Sequence, residues 1–291
     1  MTPYQTYAVM VLCARDVDAI WHKLAAPQAN PALPAAGDAN YAYITAATWT
    51  AIAQLRCDDQ IISKSDNVYY GLLLRCHTAS DPFAVGDYLV AIRGTMTQDE
   101  WENDTLSLIP MPSPRGAGQV GAGFWDIYDS MTLNDLAGGP GRSPVAASIA
   151  AMVQAQPGRV YVAGHSLGAA LATYLTADLQ PALAAAGVGA GLSPFFFASP
   201  NTGTGDYVNN YQRTVTAYTL VNYAIDVVPM VPPQILGWAA LNAGGPDHDV
   251  HTIAPLSRGA ILPPTPPNNH DPVGYARMLD PGNAIARRPG L

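Results

Sequence analysis

The chain has 291 residues, of which 49% are hydrophobic and only 12% charged, and its formal net charge is -8. An α/β chain of this length is routinely one domain with a sizeable core, so residues 1–291 are predicted to fold as a single domain. The acidic balance and the lack of any run of Lys or Arg exclude a nucleic-acid binder that neutralises phosphates. They also disfavour simple electrostatic binding to anionic membranes.

Targeting signals and cysteines leave the cellular compartment open. No apolar stretch reaches the ~20 residues that span a bilayer, so no integral membrane segment is predicted. The apolar run from Ala8 to Ala14 has no basic residue before it and acidic residues soon after it, which indicates an amphipathic helix and not a signal peptide. Cys13, Cys57 and Cys76 permit at most one disulfide and lack the spacing of a metal site. Secreted and cytoplasmic locations both stay open, as does the oligomeric state.

The predicted elements alternate between strands and helices. Helical spacing of apolar residues from Tyr7 to Trp21 predicts an N-terminal helix, followed by a Pro- and Ala-rich loop over 26–38. The strands predicted after it are Tyr69–His77, Asp87–Arg93, Arg159–Ala163, Phe195–Ala198 and Tyr218–Tyr223. The predicted helices are Ala122–Met131, Val145–Gln156, Leu167–Asp178 and Tyr275–Leu279. This order predicts a mostly parallel sheet in an α/β architecture, and the Pro-rich chain after Pro229 is otherwise predicted to be irregular.

A G-x-S-x-G pentapeptide at Gly164–Gly168 marks Ser166 as a candidate nucleophile. The motif falls between a predicted strand and a predicted helix, where a nucleophile elbow must lie. Glycines are required there because the turn is too sharp for side chains, and the turn projects the serine oxygen above the sheet edge. The alternative is a tight strand–helix turn whose serine only caps the helix. A nucleophilic serine needs a general base and an orienting acid, and in α/β-hydrolases both follow the serine along the chain.

Asp226 and His270 are the candidates for this acid and this base. Asp226 comes directly after the apolar run Tyr218–Tyr223, at the C-terminal end of a predicted strand, where open α/β sheets have their sites. Its alternative role is that of a turn-capping carboxylate. His270 precedes the last predicted helix, on a loop that can hang over the nucleophile. The remaining histidines after the serine, His248 and His251, suggest a crowded metal cluster or a solvated polar loop, and the loop is preferred because no further donors stand at useful spacing.

Together these residues resemble the class 3 lipases, the family that contains the fungal triacylglycerol lipases. The matching segments, in chain order, are Arg93–Thr95, Val120–Phe124, Gly164–Gly168, Asn222–Pro229 and the pair His270 and Tyr275. The resemblance extends roughly from Tyr69 to Leu279 and departs from the family at Gly121, where many members carry histidine. It implies an α/β-hydrolase fold, with a mostly parallel central sheet, helices on both faces, and a lid over residues 96–115 that opens at an oil–water interface. The alternative for residues 96–115 is an ordinary surface helix and loop.

The resemblance also assigns roles to the candidate residues. It implies that Ser166 attacks an ester, that His270 shuttles the proton and that Asp226 orients His270. Acyl transfer builds negative charge on the carbonyl oxygen, and fixed N–H donors must stabilise it. The predicted donors are the N–H groups of Leu167, the residue after the nucleophile, and of Thr95, whose hydroxyl assists.

The predicted function is therefore hydrolysis of acylglycerol carboxylic esters, as a lipase or carboxylesterase without a cofactor or metal. On the same triad, the alternatives are a phospholipase and an aromatic esterase of the feruloyl type, and a third alternative is a non-catalytic relative that only binds lipid. A dinucleotide site at 116–121 is rejected, although this segment matches G-x-G-x-x-G, because Pro110, Pro112 and Pro114 stand where the motif requires a strand.

Overall fold

The computed structural model describes residues 1–24, 30–38, 43–59, 65–94, 109–136, 141–189, 191–242, 244–253 and 269–281. The helices in these residues are α1 (Pro3–His22), α2 (Ala122–Asp129), α3 (Val145–Ala155), α4 (Leu167–Ala185), α5 (Gly205–Thr214) and α6 (Pro272–Leu279). The strands are β1 (Trp49–Asp59), β2 (Ser65–Cys76), β3 (Tyr88–Ile92), β4 (Pro110–Pro112), β5 (Gln119–Gly121), β6 (Thr132–Asp135), β7 (Val160–His165), β8 (Leu192–Phe197), β9 (Gly203–Thr204), β10 (Ala217–Tyr223), β11 (Trp238–Ala239) and β12 (Asp247–Ile253).

Eight strands form the main sheet, in the order β12-β10-β8-β7-β3-β2-β1-β6. The pairs from β12 to β3 are parallel, and the pairs from β3 to β6 are antiparallel. Six of the eight strands therefore run in the same direction, which confirms the predicted α/β fold, with antiparallel strands at one edge. Because β7, β8 and β10 are parallel neighbours, their carboxyl ends meet at the same edge of the sheet.

Helices cover both faces of this sheet, as predicted. α1 and α6 pack against one set of strand side chains, which includes Leu89 and Ala91 of β3. The helices α2 to α5 pack against the opposite set, which includes Val90 and Ile92 of the same strand. Alternate residues of a strand point to opposite faces, so one short strand contributes to both cores.

A small second sheet has the order β11-β9-β5-β4. Two of the prolines that were taken to exclude a strand before residue 116 are themselves in β4, so that part of the sequence argument is wrong. Prolines are tolerated here because β4 is an edge strand, where a missing N–H breaks no ladder hydrogen bond. The segment 116–121 contains the end of the turn and strand β5 of an antiparallel hairpin with β4, which is not the strand–turn–helix unit of a dinucleotide site.

The N-terminal helix is more buried than the sequence predicted. Thr2 and Gln5 form a capping box at its start. Every residue from Tyr7 to Ala14 is buried, so this stretch is enclosed and not amphipathic. The enclosure follows from the packing of α1 on the main sheet and on α6.

Several elements differ from the predictions. The sequence did not predict β1, β6 or α5, and α4 continues past its predicted end at Asp178 to Ala185. The solvated polar loop predicted around His248 and His251 is wrong, because these residues form β12, which pairs in parallel with β10. His248 is buried there, with Nε2 3.0 Å from the carbonyl oxygen of Val215.

The described parts of the chain contain the three cysteines, Cys13, Cys57 and Cys76, all buried and unpaired. In the same parts, no helix combines the length and the apolar character that crossing a membrane requires.

Candidate active site

Ser166 lies between β7 and α4 in a backbone conformation that residues with a side chain rarely adopt. Its φ is 58° and its ψ is -128°, a strain of roughly 1–3 kcal/mol that persists only where the surroundings enforce it. A Cβ on Gly164 would overlap the Gly168 carbonyl, and a Cβ on Gly168 would lie 2.5 Å from the carbonyl oxygens of Ile92 and Arg93. The two glycines of the motif are therefore what allow this sharp turn.

Neighbouring strands hold the turn at the carboxyl edge of the sheet. The Ser166 N–H donates to the carbonyl of Phe197, the last residue of β8, at 3.0 Å. Gly94, which follows β3, packs so closely that a Cβ there would lie 3.1 Å from the Ser166 Cβ. The Ser166 side chain makes no capping hydrogen bond to α4, which removes the alternative that this serine only caps the helix.

The three residues predicted as a triad meet at this edge. His270 Nε2 lies 2.7 Å from Ser166 Oγ, and His270 Nδ1 lies 2.8 Å from Asp226 Oδ2. Asp226 follows β10 and His270 directly precedes α6, so three separate elements supply the three side chains. When Nδ1–H donates to the carboxylate, Nε2 is left free to accept the serine proton, as a general base requires.

Asp226 is held by two further donors. Its Oδ1 accepts the Val228 N–H at 3.0 Å, so the turn-capping role also exists, alongside the bond to His270. The Tyr275 hydroxyl donates to Oδ2 at 2.8 Å and accepts the Tyr223 N–H at 2.9 Å. Burial, and then the nearby Asp226 charge, raise the pKa of Tyr275 well above its usual value, so the hydroxyl stays protonated and remains a donor. The sequence contained this residue only as part of the family pattern, with no role attached.

His165 is a second histidine at the site that sequence reasoning did not single out. Its ring lies 4.7 Å from the His270 ring and 5.8 Å from the Tyr275 ring, and its side chain is buried. Burial, together with the charge that His270 acquires, lowers the pKa of His165 well below its usual 6.5. His165 is therefore a neutral packing surface for His270. Its position within the G-x-S-x-G motif is the only signal that pointed to the site.

Of the two predicted oxyanion donors, Leu167 lies within the described residues and Thr95 does not. The Leu167 N–H is the first of α4, and the first N–H groups of a helix have no partner within the helix. Thr95 lies outside the described residues, so its role stays a prediction. The residue before it, Gly94, approaches Ser166 so closely that an added Cβ would lie 3.1 Å from the Ser166 Cβ.

Comparison with known proteins identifies the family. A family model described as Lipase (class 3) matches residues 89–236, which are 148 of the 291 residues. The chain belongs to the class 3 lipase family. The matched region contains Ser166 and Asp226 but ends before His270, so the assignment of the base depends on the geometry above.

Individual relatives agree with this family. The chain is 33% identical to Phospholipase A1-II 6 of Oryza sativa subsp. japonica over 169 residues, an alignment that covers 50% of this chain but only 40% of that relative. Among solved structures, the lipase from Rhizopus microsporus var. chinensis has a TM-score of 0.58 at 19% identity, covering 82% of this chain and 72% of that one. The Rhizomucor miehei lipase in a propeptide complex has a TM-score of 0.59 at 17% identity, covering 100% and 81% of the two chains. At these identities the structural likeness supports the fold alone.

The lid that the class 3 lipase resemblance predicts over 96–115 is described only in part. Residues 96–108 lie outside the described residues, so the lid stays a prediction. Residues 109–115 contain β4 and end at Arg115, whose Nε donates to Asp178 of α4 at 2.9 Å. Tyr128 donates to the same carboxylate at 2.7 Å, so Asp178 is engaged by partners other than the Ser166 site.

Proposed function

We propose that this class 3 lipase is a serine hydrolase that cleaves carboxylic esters of lipids through an acyl-enzyme. The observation that carries the proposal is the continuous hydrogen-bonded path from Ser166 through His270 to Asp226. Ser166 itself has the strained backbone conformation of the turn. A module that only binds lipid needs neither the strain nor a base within 2.7 Å of the serine oxygen. This is the reason to prefer an enzyme over a non-catalytic relative.

Acylation follows from the geometry of the three side chains. Ser166 Oγ attacks the ester carbonyl carbon while His270 Nε2 removes the hydroxyl proton, and a tetrahedral intermediate forms. Asp226 accepts the Nδ1–H and stabilises the positive imidazolium. The intermediate then collapses: the bond to the alcohol oxygen breaks, Nε2–H protonates that oxygen, and the acyl group remains on Ser166.

Deacylation repeats these steps with water. His270 removes a proton from a water molecule, whose oxygen attacks the acyl carbon, and the second intermediate releases the carboxylic acid. The proton on Nε2 returns to Ser166 Oγ, which restores the starting state.

In both steps the N–H of Leu167 stabilises the oxyanion, and we propose Thr95 as the second donor. Removal of one such donor typically slows the reaction by about 10²–10³-fold. The close approach of Gly94 to Ser166 supports the second assignment, because Thr95 is the next residue along the chain.

The proposed substrate is a glycerolipid, and the two candidate classes are triacylglycerols and phospholipids. The sequence pattern of the class 3 family, which contains the fungal triacylglycerol lipases, favours triacylglycerol. The 33% identity to a rice phospholipase A1 favours a phospholipid cleaved at one of its two acyl esters. A comparison of fatty-acid release from a triolein emulsion and from phosphatidylcholine with different acyl chains at its two ester positions separates the candidates. Faster release from triolein supports the lipase, and selective release of the sn-1 chain supports the phospholipase.

The activity itself is tested with p-nitrophenyl esters from acetate to palmitate. Ser166→Ala is expected to lower kcat by about 10³-fold or more, because it removes the nucleophile. Ser148→Ala, at a partly exposed serine of α3 whose hydroxyl donates to the Pro144 carbonyl, is the matched control and is expected to retain wild-type kcat. A fluorophosphonate probe is expected to label the wild type and the control but not Ser166→Ala. Activity that survives in Ser166→Ala, or no activity and no labelling in any protein, contradicts the proposal.

A further inference from the structure

The exposed apolar side chains of this protein are concentrated in one short segment. Among the described residues, nine large hydrophobic side chains are exposed, and five of them lie within residues 225–236, hereafter the apolar turn. These five are Ile225, Val227, Met230, Ile235 and Leu236. Single exposed hydrophobic residues are ordinary on a protein surface, whereas several adjacent ones mark an interaction site.

The tip of the apolar turn is well formed. Ile235 is 93% exposed and Leu236 is 67% exposed, on a 3₁₀ turn over Gln234–Leu236. The Leu236 N–H donates to the Pro233 carbonyl at 3.0 Å, and the turn closes at Gly237, whose φ is 89°. The exposure of the two aliphatic side chains is therefore built into an ordered turn, although it contributes nothing to the core.

The apolar turn lies on the same edge of the main sheet as Ser166. It begins beside Asp226, after the carboxyl end of β10. Its middle is tied to the region after β8, because Asn201 donates from its backbone to the Val231 carbonyl at 2.9 Å and from its side chain to the Pro232 carbonyl at 2.8 Å. In the sheet, β10 is two strand spacings from β7, which is about 10 Å.

Charge decides which kind of surface the apolar turn fits. The sequence has no charged residue from Val227 to Pro246, and the whole chain has a net charge of -8. Attraction to an anionic membrane requires Lys or Arg near the surface, and this segment has none. Aliphatic side chains that enter an uncharged lipid surface, by contrast, gain the full benefit of leaving water.

We propose that the apolar turn docks the protein on the surface of an uncharged or zwitterionic lipid aggregate, with Ile235 and Leu236 inserted. The inference deepens the proposed function, on which it rests, because it states how the site reaches an aggregated lipid. This anchor is separate in sequence from the predicted lid at 96–115.

The test measures co-sedimentation of the full chain with vesicles of ether-linked phosphatidylcholine, which contain no ester that the protein could cleave. The wild type is expected to bind, and the double variant Ile235→Ser/Leu236→Ser is expected to bind about tenfold more weakly or worse. Ile235→Leu/Leu236→Ile, which keeps the apolar character, is expected to bind like the wild type. So is Val85→Ser, at an aliphatic residue that is 65% exposed just before the amino end of β3, on the opposite edge of the sheet. Thermal unfolding of each variant verifies that the fold is intact.

Three outcomes overturn the proposal: no binding by the wild type, equal binding by the serine double variant, or binding that appears only when anionic lipid is added. A fourth is a wild-type dimer that the double variant converts to monomer, because the turn is then an interface between two copies of the chain. Hydrolysis of soluble p-nitrophenyl acetate is measured separately. If it is absent while the binding pattern holds, the proposed function fails and the docking surface stands.

Discussion

Tyr275→Phe is the substitution that best tests how the site is held together. The lost hydroxyl donates to Asp226 at 2.8 Å and accepts the Tyr223 N–H at 2.9 Å, and Tyr275 is fully buried. A hydrogen bond to a charged group contributes about 1.5–3 kcal/mol, and a buried donor left without a partner costs about 1–3 kcal/mol. The free energy of unfolding is therefore expected to fall by about 2.5–6 kcal/mol. Because Asp226 orients His270, kcat is expected to fall about tenfold, which corresponds to about 1.4 kcal/mol of the barrier. KM is expected to change little.

The assay combines urea unfolding with steady-state kinetics on p-nitrophenyl acetate. Tyr128→Phe is the matched control, since its hydroxyl also donates to an aspartate, Asp178 Oδ2, at 2.7 Å. Asp178 is 12 residues beyond Ser166 on α4, about 18 Å along the helix. The control is expected to lose stability but to keep its kcat. If Tyr275→Phe loses stability while its kcat stays within twofold of the wild type, the hydroxyl is only structural and the positioning argument is refuted.

The remaining predictions concern the elbow, the acid and the buried histidine. Gly168→Ala is expected to lower the unfolding free energy by about 1–3 kcal/mol or more, because its Cβ would lie 2.5 Å from two backbone carbonyls, whereas Gly205→Ala, with open space around it, should cost nothing by the same urea titration. Asp226→Asn keeps the shape but removes the charge that stabilises the imidazolium, so kcat on p-nitrophenyl acetate is expected to fall by about 10³–10⁴-fold, and a smaller loss than tenfold would argue against a triad. Because the pKa of His165 is depressed in the fold, the unfolded chain binds more protons than the folded chain below pH 6.5. The free energy of unfolding therefore decreases as the pH is lowered, by up to about 1.4 kcal/mol per pH unit, until the pH reaches the pKa of His165 in the folded protein. His165→Phe is expected to flatten that slope between pH 7 and pH 5, and an unchanged slope would show that other groups cause it.

The sequence predicted those parts of the site whose geometry is determined by residues close together in the chain. The turn at Ser166 depends on glycines two residues away on either side, so a pentapeptide contains almost all of its geometry. Asp226 could be predicted because a buried parallel strand appears in the sequence as an apolar run. Asp226 follows the carboxyl end of that strand, where open α/β sheets have their functional groups. For His270 the local signal was weak, and the family pattern and then the 2.7 Å distance to Ser166 decided it.

The parts that the sequence did not predict depend on partners far along the chain. β1 contains Gln54, Arg56 and Asp59, polar residues that read as surface but are buried. Arg56 donates to Gln54 at 2.7 Å, and Asp59 accepts the Tyr70 hydroxyl at 2.6 Å from the neighbouring strand. A buried polar group is acceptable when it is hydrogen-bonded, but the sequence does not show which distant group satisfies it.

The same reasoning explains why β12 was taken for a solvated loop. Its residues Asp247-His248-Asp249 have the composition of a turn. In the fold, His248 stacks on Tyr218 at 4.3 Å and bonds to the carbonyl of Val215, so a polar segment becomes a half-buried edge strand. Hydrophobic periodicity identifies apolar residues that are buried. It does not identify a polar residue such as His248, which is buried because it has hydrogen-bonding and stacking partners.

Helix α6, near the end of the described chain, contacts both the N-terminal helix α1 and the proposed triad. α6 follows His270 directly, and its Tyr275 ties the helix to Tyr223 at the end of β10 and to Asp226 just beyond it. The other side of this helix packs on α1, whose residues from Tyr7 to Ala14 are all buried. The base is thus held between a strand end and an N-terminal helix that lies outside the matched family region. We therefore expect core substitutions in α1 to act on kcat through the placement of α6, which follows the proposed base.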